Sequence, residues 1–84
     1  MTLPNEPITL NVEQIKELNA RLMTMRHDVN NNLSLMAAAV ELMRHRPETA
    51  ERMVDTLLEQ PKKISAAILQ FSNEMESALG IRRS

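Results

Sequence analysis

Along the first half of the chain, apolar side chains return at steps of three and four. Ile15, Leu18, Leu22, Met25, Val29, Leu33, Met36, Val40 and Met43 form one stripe. That spacing keeps side chains on one face of a helix. Two consecutive steps of four, Met25–Val29–Leu33, put one phase shift into it. Leu35, Leu42 and Ala37 to Ala39 widen the apolar surface beyond a single stripe. A second stripe runs through Val54, Leu57, Pro61, Ile64, Ile68, Phe71, Met75 and Ala78 as an uninterrupted heptad repeat. Four of the seven methionines, Met25, Met36, Met43 and Met75, fall on these stripes, which fits core filling.

Punctuation between the stripes sets the element boundaries. Asn11 followed three residues later by Gln14 has the form of a capping box, with Leu10 and Ile15 at the staple positions. The first helix is therefore expected from about Val12 to about His45, after an irregular, proline-containing lead-in at 1–10. Arg46-Pro47 ends it, because the residue before proline is pushed away from helical geometry. Proline also suits the first position of a new helix. The second helix is expected over about 47–79, with Glu48 and Glu51 in its first turn and Gly80 as a left-handed cap. Ile81 is then able to fold back on Met75, and 81–84 remain as a tail. Pro61 removes one backbone hydrogen bond, but the stripe stays in phase through it. A kink is expected there in preference to a separate short helix at 48–59.

Two long helices with almost no loop between them pack antiparallel. The fold class predicted is all-α: a long antiparallel helical hairpin spanning 11–80. Too much apolar surface remains for one hairpin. Two copies pairing symmetrically into a four-helix bundle would cover it.

Composition narrows the possibilities further. The chain has 84 residues, no cysteine, one aromatic residue and one glycine. Nothing covalent compensates for a small core. Ten basic and eleven acidic residues are interspersed, which is a solvated surface and not a nucleic-acid footprint. The N-terminus carries no basic region followed by an apolar run, and no segment reaches the roughly 20 apolar residues of a membrane span. A cytoplasmic protein without nucleic-acid or membrane partners is expected.

The first helix carries one stretch that propensity does not favour. Residues 25–33 read MRHDVNNNL, with three asparagines in a row. Together they cost the helix about 1–2 kcal/mol against alanine. At about 100° per residue, His27 falls nearly opposite the apolar stripe, and Asn31 lies one turn further on the same face. Asn30 falls to one side and Asn32 at the edge of the stripe. A core histidine would sit on the stripe; an ordinary exposed histidine would need no such neighbours. Here an acid is adjacent and a carboxamide lies one turn away. An exposed neutral imidazole is a nucleophile near pH 7, so the set suits a histidine that accepts a phosphoryl group. His45 lies about 27 Å further along the same face. It reads as a favourable charge at the negative end of the helix dipole. His27 with Asn31 is too sparse a pair for a metal site, and no metal is expected.

His27-Asp28-Val29-Asn30-Asn31-Asn32-Leu33 resembles the H-box of two-component sensor histidine kinases, H-[DE]-x-x-[NT]-P-L. The resemblance implies that His27 is the phosphoacceptor, Asp28 the general base that orients the ring, and Asn31 the residue that positions the phosphoryl group or a hydrolytic water. Leu33 falls on the apolar position of the motif. Asn32 stands where proline is usual, so the first helix should be straighter here. Residues 12 to 79 are similar to the dimerisation and histidine-phosphotransfer domain of these kinases.

The resemblance implies partners as well: a second copy of the chain, the receiver domain of a response regulator, and a separate ATP-binding kinase domain. The ATP-binding domain, with its glycine-rich boxes, is missing from these residues. ATP and magnesium would enter only through that separate domain, and no cofactor is expected in this chain. The chain would be part of a histidine kinase or a free-standing phosphotransferase, and its Met1 start favours a native N-terminus. The alternative is a non-catalytic helical module that dimerises and docks a partner, with His27 incidental.

Overall fold

The computed structural model describes residues 5–80; the expected Ile81–Met75 contact and the 81–84 tail lie outside them, as do the first four residues of the lead-in. Residues 5–10, which include Pro7, form no helix or strand. Helix α1 spans Val12–His45 and helix α2 spans Ala50–Leu79, joined by a 3-10 turn at Pro47–Thr49. No strand occurs among the described residues.

Each boundary has a local cause. The Asn11 Oδ1 accepts from the Gln14 backbone N–H at 2.8 Å, and Gln14 Oε1 accepts from the Asn11 N–H at 2.9 Å. The capping box read from the sequence is therefore complete. At the other end Arg46 leaves helical geometry, with φ −136° and ψ 81°, and its N–H still reaches the Leu42 carbonyl at 2.8 Å. Thr49 then ties the turn down. Both its backbone N–H (2.9 Å) and its hydroxyl (2.7 Å) donate to the Arg46 carbonyl, and its side chain is buried. The second helix thus begins three residues later than expected, because Pro47–Thr49 close as a tighter turn. Helix α2 runs unbroken through Pro61 and ends at Gly80, in the left-handed region at φ 69°. A separate helix at 48–59 does not form.

The helices pack side by side and antiparallel. Arg21 reaches Glu74 across the seam at 3.5 Å. That pair marks the register: Met25 lies near Phe71, and Asn32 lies level with Lys63. The positions that lose solvent in α1 are Leu18, Leu22, Met25, Val29, Asn32, Met36, Ala39 and Met43. This is a strict heptad, so the phase shift expected near His27 is absent. The seam passes through Asn32 and Ala39; Leu33 and Val40 remain 49% and 46% exposed. In α2 the seam likewise takes Met53, Gln60 and Ala67, and leaves Val54, Pro61 and Ile68 exposed.

The substitution has a physical reason. Each helix carries two adjacent heptads, and the hairpin closes on the one with the smaller and more polar residues. Neighbours one residue apart differ by about 100° in direction. Leu33, Val40, Val54 and Ile68 therefore look out from one broad face, while Leu35 and Leu42, which precede seam positions, are exposed on the other.

The result is a thin, long molecule, with extents of 58 × 28 × 11 Å and a radius of gyration of 18.0 Å. A compact chain of this length would have a radius near 12 Å. Ala39 is the one buried apolar residue among those described. Two helices in a single layer shield each other along one line only. No described helix is long and apolar enough to cross a membrane.

Candidate functional site

Because α1 and α2 run in opposite directions, the residue preceding each seam position falls on the same broad face in both helices. Arg21, Thr24, Asp28, Gln70 and Glu74 accordingly line one groove together. Below it, nearer the turn, an open groove of about 340 Å³ is lined by Asp28, Asn31, Asn32, Lys63, Ala66, Ala67 and Gln70. Residues following the seam positions, including Leu33, Val40, Val54 and Ile68, lie on the opposite broad face.

His27 belongs to neither face. It is exposed and projects from the outer edge of α1, away from α2. Asn31 is exposed one turn further along, and contributes to the edge of the 340 Å³ groove. Asp28 is exposed as well and turns toward that groove. The structure therefore brings Asp28 and Asn31 to a common groove, and His27 is not among the residues that line it. Among the described residues no hydrogen bond or ion pair joins the three side chains. Adjacent residues on a helix do not face each other, which is why Asp28 is not on the imidazole here. Asn32 behaves differently from its neighbours: only 8% exposed, it turns into the seam.

Two residues on the far side of the groove, Lys63 and Gln70, were not singled out in the sequence. Lys63 is paired with Glu59 at 3.6 Å, and Gln70 donates to Glu74 at 3.5 Å. The signal that locates them is the turn: Arg46-Pro47 fixes the hairpin register, and the register puts positions 63–70 across from 28–32. His45 sits in the last turn of α1, its Nε2 3.5 Å from Glu41. That is the structural role expected of it at a helix C-terminus. Among the described residues no cluster of three or more His, Cys, Asp or Glu side chains could hold a metal ion.

Compared with protein-family models, with curated proteins and with solved structures, the chain matches none of them.

Proposed function

We propose that the chain is a dimeric histidine-phosphotransfer module of the two-component type. The observation that carries this reading is the placement of His27: exposed on the outer edge of α1, with Asn31 one turn away and Asp28 beside it in sequence. An imidazole presented in this way is open to both a phosphoryl donor and a phosphoryl acceptor.

The chemistry needs no cofactor within the chain. A lone pair on one ring nitrogen of His27 attacks the γ-phosphorus of ATP, which is bound by a separate kinase domain with its magnesium. An N–P bond forms and the bond to the ADP oxygen breaks. Asp28 takes up the proton on the other ring nitrogen, which requires both side chains to rotate from the positions they hold here. In the second half, a carboxylate oxygen of a receiver-domain aspartate attacks the phosphorus. The N–P bond breaks, its electron pair returns to the ring, and the proton returns from Asp28. Asn31 hydrogen-bonds a phosphoryl oxygen or a water.

Pairing of two hairpins into a four-helix bundle belongs to the same proposal. The chain exposes 6630 Å², against about 5,100 Å² for a compact monomer of 9.6 kDa. The excess of about 1,500 Å² exceeds the roughly 800 Å² per partner that a standard interface covers. The face opposite the grooves carries Leu33, Ala37, Val40, Val54, Leu58 and Ile68 at heptad spacing, suited to a second copy. Pairing through that face leaves His27 accessible at the side of the bundle.

The direct test is radiolabelling with ATP and a cognate kinase domain. Wild-type chain should acquire an acid-labile, alkali-stable label, and His27→Ala should acquire none. Persistence of the label on the His27→Ala protein would leave the docking-module reading in its place.

A further inference from the structure

The dipeptide Arg-His occurs twice in α1, at Arg26-His27 and again at Arg44-His45, about five helical turns further on. Both histidines are exposed, and both point in the same direction from the helix axis. The two pairs differ in what stands one turn before them. Ahead of His45 stands Glu41, and it engages both members of the pair. Its Oε1 lies 2.9 Å from the Arg44 guanidinium, and its Oε2 lies 3.5 Å from the His45 Nε2. At the corresponding place ahead of His27 stands Met23, which carries no charge. The Met23 sulfur accepts from the Asn19 side chain. Among the described residues Arg26 consequently has no ion pair and no side-chain hydrogen bond.

A phosphoryl group brings negative charge to the histidine that accepts it. His27 projects away from α2, so a compensating cation has to come from α1. Within two turns of His27 the basic residues of α1 are Arg21 and Arg26. Arg21 is held by Glu17 at 3.2 Å and by Glu74 at 3.5 Å. Asp28, the residue after His27, repels the group. Arg26 follows the seam residue Met25 and therefore stands on the flank of His27 opposite Asp28. Adjacent helical residues do not face each other. A phosphoryl group on a ring nitrogen, however, stands beyond the imidazole, where the long arginine stem folds over to meet it. The planar guanidinium fork then matches two phosphoryl oxygens. At His45 the same approach is blocked. Glu41 already occupies the Arg44 guanidinium, and its carboxylate and the negative end of the helix both disfavour an anion.

We propose that Arg26 grips the phosphoryl group on its way to and from His27, and that its freedom from any acid selects His27 over His45 as the acceptor. Two guanidinium N–H groups donate to two phosphoryl oxygens. The proposal deepens the phosphotransfer reading, on which it rests for the natural donor.

Phosphoramidate, a small donor that needs no kinase domain, tests the role on the full chain. The ring nitrogen attacks its phosphorus and the donor's N–P bond breaks. Ammonia leaves with the proton that the ring gives up. Peptide mapping at alkaline pH reads the two histidines separately, so His45 serves as an internal control. Arg26→Gln should slow loading of His27 at least about threefold and leave His45 unchanged. Arg26→Lys should recover part of the loss, as a point charge without the fork. Met23→Glu should slow His27 as Arg26→Gln does, and Glu41→Met should speed His45. Added salt should slow His27 more steeply in the wild type than in the Arg26→Gln protein. An unchanged His27 rate in Arg26→Gln or in Met23→Glu would overturn the role, as would faster loading of His45 than of His27 in the wild type. Loading by phosphoramidate with no label from ATP and a kinase domain would refute the phosphotransfer reading, and the chemical rates would then judge Arg26 alone.

Discussion

At the scale of single residues, three consecutive asparagines do three different things, and helical geometry separates them. Asn31 shares the outer face with His27; Asn32 turns into the seam and is nearly buried; Asn30 is exposed and its local effect is to weaken the helix. In the proposed reaction Asn31 does not bear the phosphoryl group, so Asn31→Ala should load with phosphate at close to the wild-type rate. The loss should appear in partner dephosphorylation, slowed about tenfold for one lost hydrogen bond to a charged group. A time course of label on the receiver domain reads this directly. Gly80 is a case where sterics and backbone strain can be told apart. A Cβ built there meets no atom within 4 Å, yet φ is +69°. The cost of Gly80→Ala is then the left-handed backbone alone, about 1 kcal/mol. Thermal melting should show a fall of about 5 °C for a domain of this size. An unchanged midpoint would mean that the cap contributes nothing.

At the scale of elements, what the sequence disclosed depended on whether the signal was local. Asn11 with Gln14, Arg46 before Pro47, and Gly80 each act within a few residues, and the structure has α1 starting at Val12 and α2 ending at Leu79. The apolar stripes put the seam at Leu33 and Val40, and at Val54, Pro61 and Ile68, all of which the structure leaves exposed. Choosing the most apolar residue at each turn is sound when one face is buried. It fails when two adjacent heptads compete, because hydrophobicity alone does not say which of them closes the hairpin. The outward position of His27 was legible, since its angle to either heptad is large. Lys63 and Gln70 were not, because a groove between helices exists only once the register is set. The two heptads also make opposite predictions for substitution. Ile68→Glu places a charge on the face proposed for pairing, and should raise the protein concentration needed for pairing, with full helix content by circular dichroism regained at high concentration. Ile64→Glu places the same charge in the half-buried hairpin seam and should cost helix content at every concentration, since an unpaired charge drawn out of water is destabilising. Light scattering with circular dichroism on both variants distinguishes the faces, and identical behaviour of the two would contradict the assignment.

At the scale of the whole molecule, the hairpin has the outline of a half-bundle. A single layer 11 Å thick, with no large side chain fully buried among the described residues, lacks the interior from which a domain draws its stability. Hydrogen bonds within the helices do not replace it, because helices in water owe most of their stability to the packing of an apolar face. Folding and pairing should therefore be one equilibrium, with no stable folded monomer at low concentration. The melting temperature should then rise with protein concentration. A hundredfold increase adds RT ln 100, about 2.7 kcal/mol, to each mole of dimer. Shared between two short chains, this moves the midpoint by roughly 5–10 °C. A monomeric hairpin would melt at the same temperature throughout, with a scattering mass of 9.6 kDa instead of twice that. The same measurement bears on function. If pairing is what holds α1 straight, His27 is presented on a rigid edge only in the dimer. Dilution below the pairing concentration should then abolish labelling of His27 together with the helical signal, at one and the same concentration.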